Sequence, residues 1–180
     1  LMIYRLIAPD WALNDKKISQ KVLEGVFTPE QISEYNKQGY NIYYLPNHPK
    51  EYQPGVTVTG AHVDVFNYVF VDCDLKDDIY VTKDDFIDAL YGINIQPSKV
   101  VDSGNGIHAY WKVTNLDAMS YLRFQRRLLR LLRTDEAVGQ LFQLMRLPGT
   151  MNTKQRDNLI QCELLGETDA VYAAEELDQL

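Results

Sequence analysis

The chain has 180 residues, 46% of them hydrophobic, with 18 lysines and arginines against 25 aspartates and glutamates, a formal net charge of −7. That length buries one sizeable core, and the negative charge excludes a protein that holds nucleic acid by bulk positive charge, so such a partner must be met by local cations. Two cysteines, Cys73 and Cys162, exclude a disulfide framework and a four-ligand zinc site, and no stretch reads as a membrane span or a secretory signal.

In chain order, the apolar stretch 2–7 predicts a first strand. Thr28, Pro29 and Gln31 form a capping-box start, with proline at the first helical position, for a helix ending near Gly39. Residues 40–45 predict a strand. The continuous run Tyr68-Val69-Phe70-Val71 predicts a strand buried on both faces, which delivers Asp72 and Asp74 at its C-terminal end. Thr82 to Asp85 cap a short helix that ends at Gly92. Residues 99–102 and 107–113 predict two antiparallel strands joined by Ser103-Gly104-Asn105-Gly106, in which Asn-Gly tolerates the positive backbone angles of a tight hairpin. A long amphipathic helix follows over 116–133, then a late strand over 158–164 and a terminal helix from 169. Strands separated by helices and closed by hairpins predict an α+β sandwich with helices on a mainly antiparallel sheet. No repeat or linker divides 1–180, so a single domain is expected. Leu1 before Met2, and a last helix that reads as cut in mid-course, give the expectation of a domain excised from a longer protein.

Three groups of residues can carry chemistry. Asp72 and Asp74 lie two apart on a strand and share one face, so both carboxylates can hold hard divalent cations. An Asp-x-Asp by itself favours a solvated turn, and the uninterrupted apolar strand before this pair is what brings the metal reading level with it. Ser103, Gly104, Gly106 and His108 form a small-residue turn whose amides can approach an anion, with Ser103 and His108 able to donate to a triphosphate. An ordinary hairpin with a histidine among Tyr110 and Trp111 is the alternative. Arg146-Leu147-Pro148-Gly149-Thr150-Met151-Asn152-Thr153-Lys154 carries cations and polar donors suited to phosphate or sugar. Arg123, Arg126, Arg127, Arg130 and Arg133 recur at spacings of three and four along one helix face, which fits either a nucleic-acid backbone or a solvated surface. The chain has no Gly-x-x-x-x-Gly-Lys loop of an ATP-driven helicase and no His-x-His pair of a nicking enzyme.

In this order, the apolar strand ending in Asp-x-Asp, the Ser-Gly-x-Gly-x-His turn and the Arg-Leu-Pro-Gly-Thr-x-Asn-x-Lys segment resemble the archaeo-eukaryotic primase superfamily. The likeness is greatest to primase-polymerase domains of phages, plasmids and related mobile elements, and it spans residues 39–154. The resemblance implies two packed α/β layers, one an RNA-recognition-like module, with a metal cleft between them. It implies template-directed nucleotidyl transfer as a DNA primase or polymerase using two magnesium or manganese ions. Asp72 and Asp74 become metal ligands, joined by a third acidic residue placed at Asp135, with Glu136 as the substitute. Gln140 and Gln143 stand where relatives often carry Asp and Arg. Ser103, Gly104, Gly106 and His108 face the incoming nucleotide, His108 also counting as catalytic, and Arg146, Asn152 and Lys154 contact nucleotide or template. Arg123, Arg126, Arg127 and Arg130 become the nucleic-acid track. The implied partners are single-stranded or primed DNA, dNTPs or NTPs, and a helicase in the same polypeptide or in trans, all in the cytoplasm of a bacterial or archaeal host cell with no membrane. Two other readings are a replication-initiator module that binds DNA without catalysis, and a nucleotide-sugar glycosyltransferase built on Asp-x-Asp.

Overall fold

A computed structural model of the chain describes residues 1–75 and 79–180. Two main sheets, one antiparallel and the other mainly so, each with its own helices, meet along one cleft. The first sheet contains β1 (Tyr4–Ile7), β2 (Val22–Gly25) and β3 (Asn41–Tyr44), and receives β7 (Met145–Arg146) from much later in the chain, in the order β2-β1-β3-β7. Helices α1 (Asp10–Asn14) and α2 (Pro29–Gln38) accompany it, and Leu6, Ala12, Ile32 and Ile42 form its core. The capping box of α2 forms as its sequence predicts, Gln31 N donating to Thr28 Oγ1 and Thr28 N to Gln31 Oε1, and Gly39 ends the helix at φ +116°.

The second sheet is built on β4 (Tyr68–Asp74), β5 (Lys99–Asp102) and β6 (Gly106–Val113). Strands β4 and β5 flank β6, β10 (Glu163–Glu167) pairs with β5, and β11 (Val171–Tyr172) adds a short parallel pairing to the end of β6. Val69, Phe70 and Val71 are buried, as the unbroken apolar run requires. Helices α3 (Lys83–Tyr91) and α4 (Ala118–Leu132) pack on this sheet. Helix α4 also closes the open edge of β4. Gln125 accepts from Phe70 N at 2.9 Å and donates to Phe70 O at 2.6 Å, satisfying a backbone pair that is buried away from water. The architecture is therefore α+β with two packed layers, and among the described residues no helix is long and apolar enough to cross a membrane.

The C-terminal quarter departs from expectation. The single strand expected over 158–164 is split into β9 (Ile160–Gln161), which pairs with β8 (Met151–Asn152), and β10 in the second sheet. Cys162 lies buried at the junction, its N donating to Thr150 O and its carbonyl accepting from Gly149 N, so the chain changes partners there. The expected terminal helix contracts to α5 (Ala174–Leu177), because the β-prone Val171 and Tyr172 pair with β6 before it begins.

Candidate active site

Strand β4 alternates its side chains, so Cys73 enters the core while Asp72 and Asp74 both face the cleft. In the ladder with β6, Asp72 stands opposite His108 and Asp74 opposite Gly106. His108 Nε2 lies 3.5 Å from Asp72 Oδ1, and Nδ1 lies 3.4 Å from Tyr110 Oη. Burial, reinforced by Arg146 and Lys99 and opposed by Asp74 and Asp102, pushes the His108 pKa down to about 3. The imidazole is therefore neutral at physiological pH and meets Asp72 as a dipole rather than as a cation.

The turn before β6 is built differently from the Asn-Gly hairpin its sequence suggests. The positive backbone angle falls on Gly104, at φ +97°, not on Asn105 or Gly106. Gly106 is required for space, since a Cβ there would lie 2.1 Å from Cys73 O on the neighbouring strand. The polar groups expected to greet an anion are already engaged inside the turn. Ser103 N and Oγ both donate to Gly106 O, Gly106 N donates to Ser103 Oγ, and Gly104 N donates to Asp102 Oδ1. Lys83 holds this arrangement from outside, its Nζ within 2.8 Å of both Asp102 carboxylate oxygens and 3.0 Å from Gly104 O. No sequence motif marks Lys83, yet a lysine in the first turn of a helix opposes the helix dipole, a signal that the side chain serves something else.

The opposite wall comes from β7 and the segment after it. Because β7 pairs with β3, Arg146 stands beside Tyr43 and reaches Asn41. Its guanidinium donates to Asn41 Oδ1 at 2.6 Å and to Tyr43 Oη at 3.0 Å, and lies over the Tyr43 ring. Arg146 is 8% exposed, and among the described residues no carboxylate lies within ion-pair distance of it. The segment carrying Asn152 and Lys154 is tied to the first layer. Asn36 exchanges hydrogen bonds with the Met151 backbone, Thr153 N donates to Asn41 Oδ1, and Trp11 Nε1 donates to Thr153 O.

These walls enclose a cleft of about 250 Å³ that brings together Asp72, Asp74, Ser103, His108, Arg146, Asn152 and Lys154. Gln143 also lines it. Asp135 does not line that cleft but a smaller recess, which Asp72, Asp74, Arg133 and Thr134 line with it. Its carboxylate caps a short turn by accepting from Ala137 N at 2.9 Å. Glu136 lines a separate hollow with Arg126 and Arg130, so Asp135 is the nearer of the two acids to the pair. Among the described residues no group of three His, Cys, Asp or Glu side chains is assembled to hold a metal ion. Asp72 and Asp74 nevertheless offer hard carboxylate oxygens at the cleft, a donor chemistry that fits magnesium or manganese.

The arginines of α4 are exposed and divide into two sets. Arg123 and Arg127 reach Asp178, at 3.3 and 4.0 Å. Arg126 and Arg130 border the hollow with Glu136, and Arg133 borders the recess beside Asp72 and Asp74. Residues that no sequence motif marks are mainly supports: Asn36 and Asn41 behind the second wall, Tyr43 lining the cleft beside Arg146, and Lys99 packed against Tyr110. Lys99 Nζ donates to Tyr44 Oη at 3.1 Å and lies over the rings of Tyr44, Tyr68 and Tyr110.

No family model and no curated protein sequence matches the chain. Solved structures do. The primase-polymerase of cyanophage S-2L, archaeo-eukaryotic primase domain, superposes with a TM-score of 0.74 at 20% identity, covering 99% of this chain and 87% of that one. The primase RepB′ superposes with a TM-score of 0.67 at 14% identity, over 99% of this chain and 56% of that one. The catalytic domain of primase RepB′ in complex with initiator DNA gives 0.64 at 14% identity, over 99% and 84%. The chain has the fold of the archaeo-eukaryotic primases.

Proposed function

We propose that this chain is a primase-polymerase domain that joins nucleotides on a DNA template. The observation that carries the reading is the cleft itself. One wall presents two carboxylates and the other a buried guanidinium whose hydrogen-bond partners among the described residues, Asn41 and Tyr43, are neutral, flanked by Asn152 and Lys154. A buried cation without a counter-ion is costly, and a nucleoside triphosphate supplies one. Arg146 and Lys154 hold the phosphates, and Asn152 offers its amide to phosphate or sugar. Asp72 and Asp74 would hold divalent cations, with Asp135 joining them from the adjoining recess. When bound there, such cations would supply activation of the attacking 3′-hydroxyl and neutralisation of the departing pyrophosphate.

Neutral His108 acts as a hydrogen-bond donor or acceptor beside Asp72, not as a charged clamp. Ser103 reaches a ligand only by giving up its bond to Gly106 O. The template strand approaches along α4, where Arg126, Arg130 and Arg133 lead toward the carboxylate pair.

The test is incorporation of labelled dNTPs on a primed and an unprimed template with magnesium or manganese. The reading expects extension of the primed template, with product on both templates if the domain also initiates. Asp72→Ala with Asp74→Ala is expected to abolish incorporation while the melting temperature and DNA binding persist. Wild-type extension by that double variant would sink the proposal. The use of the Asp135 carboxylate as a turn cap, accepting from Ala137 N, favours a second reading, a DNA-binding initiator module of the same fold without catalysis. DNA binding with no incorporation on either template selects it.

A further inference from the structure

We infer that Asn41 is a positioning residue whose neutrality keeps Arg146 available as a cation at its wall of the cleft: it fixes Arg146 in place without neutralising it. This inference rests on the nucleotide-binding reading of the cleft. Asn41 is buried on β3, and its single Oδ1 accepts from Arg146 Nη1 at 2.6 Å and from Thr153 N at 2.9 Å. Both partners are donors, so chemistry alone orients the amide with its oxygen toward them. One acceptor thus couples the guanidinium on β7 to the segment that carries Asn152 and Lys154. Among the described residues Tyr43 Oη is the other acceptor that Arg146 meets, and it is neutral as well.

An aspartate at position 41 would present the same acceptor in the same place, and chemistry ordinarily prefers it. Buried guanidinium groups are found with carboxylates because an unpaired buried charge is destabilising. Asparagine therefore sacrifices the stabilising pair and leaves a full positive charge facing the cleft. The ligand that benefits is one with several negative charges, such as the triphosphate of a nucleotide.

The expectation separates charge from geometry. Asn41→Asp keeps both hydrogen bonds and cancels the positive charge, whereas Asn41→Ala keeps the charge and releases the side chain that carries it. Affinities for dATP, dADP and deoxyadenosine are measured by calorimetry with magnesium and no template, alongside melting temperatures. Wild type is expected to prefer dATP over deoxyadenosine strongly. Asn41→Asp is expected to melt at or above the wild-type temperature, to bind dATP at least tenfold more weakly, and to lose most of the preference for added phosphates. Asn41→Ala is expected to melt lower and bind at least threefold more weakly, yet to retain that preference. Arg146→Met serves as the reference for complete loss of the cation.

Failure of wild type to bind dATP overturns the nucleotide reading and this inference with it. If wild type binds and Arg146→Met does not, wild-type affinity in Asn41→Asp overturns the inference alone. Should the aspartate variant not fold, wild-type affinity in Asn41→Ala overturns it equally.

Discussion

Arg146 and His108 face the same cleft and meet burial in opposite ways. A guanidinium cannot shed its proton, so Arg146 stays charged and draws on Asn41, Tyr43 and a ring face in place of water. An imidazole can, and burial together with the charge of Arg146 holds His108 neutral, with its pKa down to about 3 from 6.5. The consequence for stability follows from linkage. Below pH 6.5 the unfolded chain binds a proton at this histidine while the folded chain does not. The stability the histidine contributes is therefore complete above pH 6.5 and is lost as pH falls toward 3. Between those limits the stability of wild type relative to His108→Gln is expected to fall with decreasing pH by up to about 1.4 kcal/mol per pH unit, the value of one whole proton. Urea unfolding of both proteins from pH 7 to 4 measures it. A difference that does not change with pH would show that the imidazole is not held neutral by its surroundings.

At the scale of elements, the turn between β5 and β6 shows how a motif serves packing as well as chemistry. The carbonyl of Cys73 lies against Gly106 at a distance no Cβ can share, and the obstructing atom is backbone. Gly106→Ala must therefore separate β4 from β6 at the point where Asp72 and Asp74 are delivered. The expected destabilisation is about 3 kcal/mol, at the upper end for overpacking, read as a fall in the denaturation midpoint. A wild-type midpoint would mean that the strands are not this close. The order of apolar runs, caps and turns made the strand before Asp72, the α2 capping box and the α4 helix legible in advance, because each depends on neighbours in sequence. The pairing of β7 with β3 was not legible, since residues 145–146 are too few to show a period and their partner lies a hundred residues earlier. The candidate site divides in the same way. Its cleft-facing side chains were named from short motifs, whereas their supports, Asn41, Tyr43 and Lys83, belong to other elements and carry no pattern of their own.

For the whole molecule, a net charge of −7 repels a nucleic acid, and binding depends on where the cations stand. Helix α4 and its C-cap residue concentrate five arginines, four within the helix at 123, 126, 127 and 130 and the cap at 133, but they are not equivalent. Asp178, beside α5, already neutralises part of the charge of Arg123 and Arg127. Among the described residues Arg126, Arg130 and Arg133 have no carboxylate within ion-pair distance, and their row ends at the recess that Asp72 and Asp74 border. Exposed arginines attract phosphate mainly by releasing counter-ions, so their contribution shows in how steeply affinity falls with salt. Each phosphate neutralised on a single strand adds about 0.7 to that slope. Arg126→Ala with Arg130→Ala is therefore expected to reduce the magnitude of the slope by about 1.4. Arg123→Ala with Arg127→Ala should reduce it by less than half as much, because removing them also releases Asp178. The measurement is fluorescence anisotropy of a labelled oligothymidylate titrated between 50 and 200 mM salt, a range over which such contacts change affinity strongly. Equal slopes for the two double variants would place the strand along the whole helix face. A wild-type slope in Arg126→Ala with Arg130→Ala would remove α4 from the template path altogether.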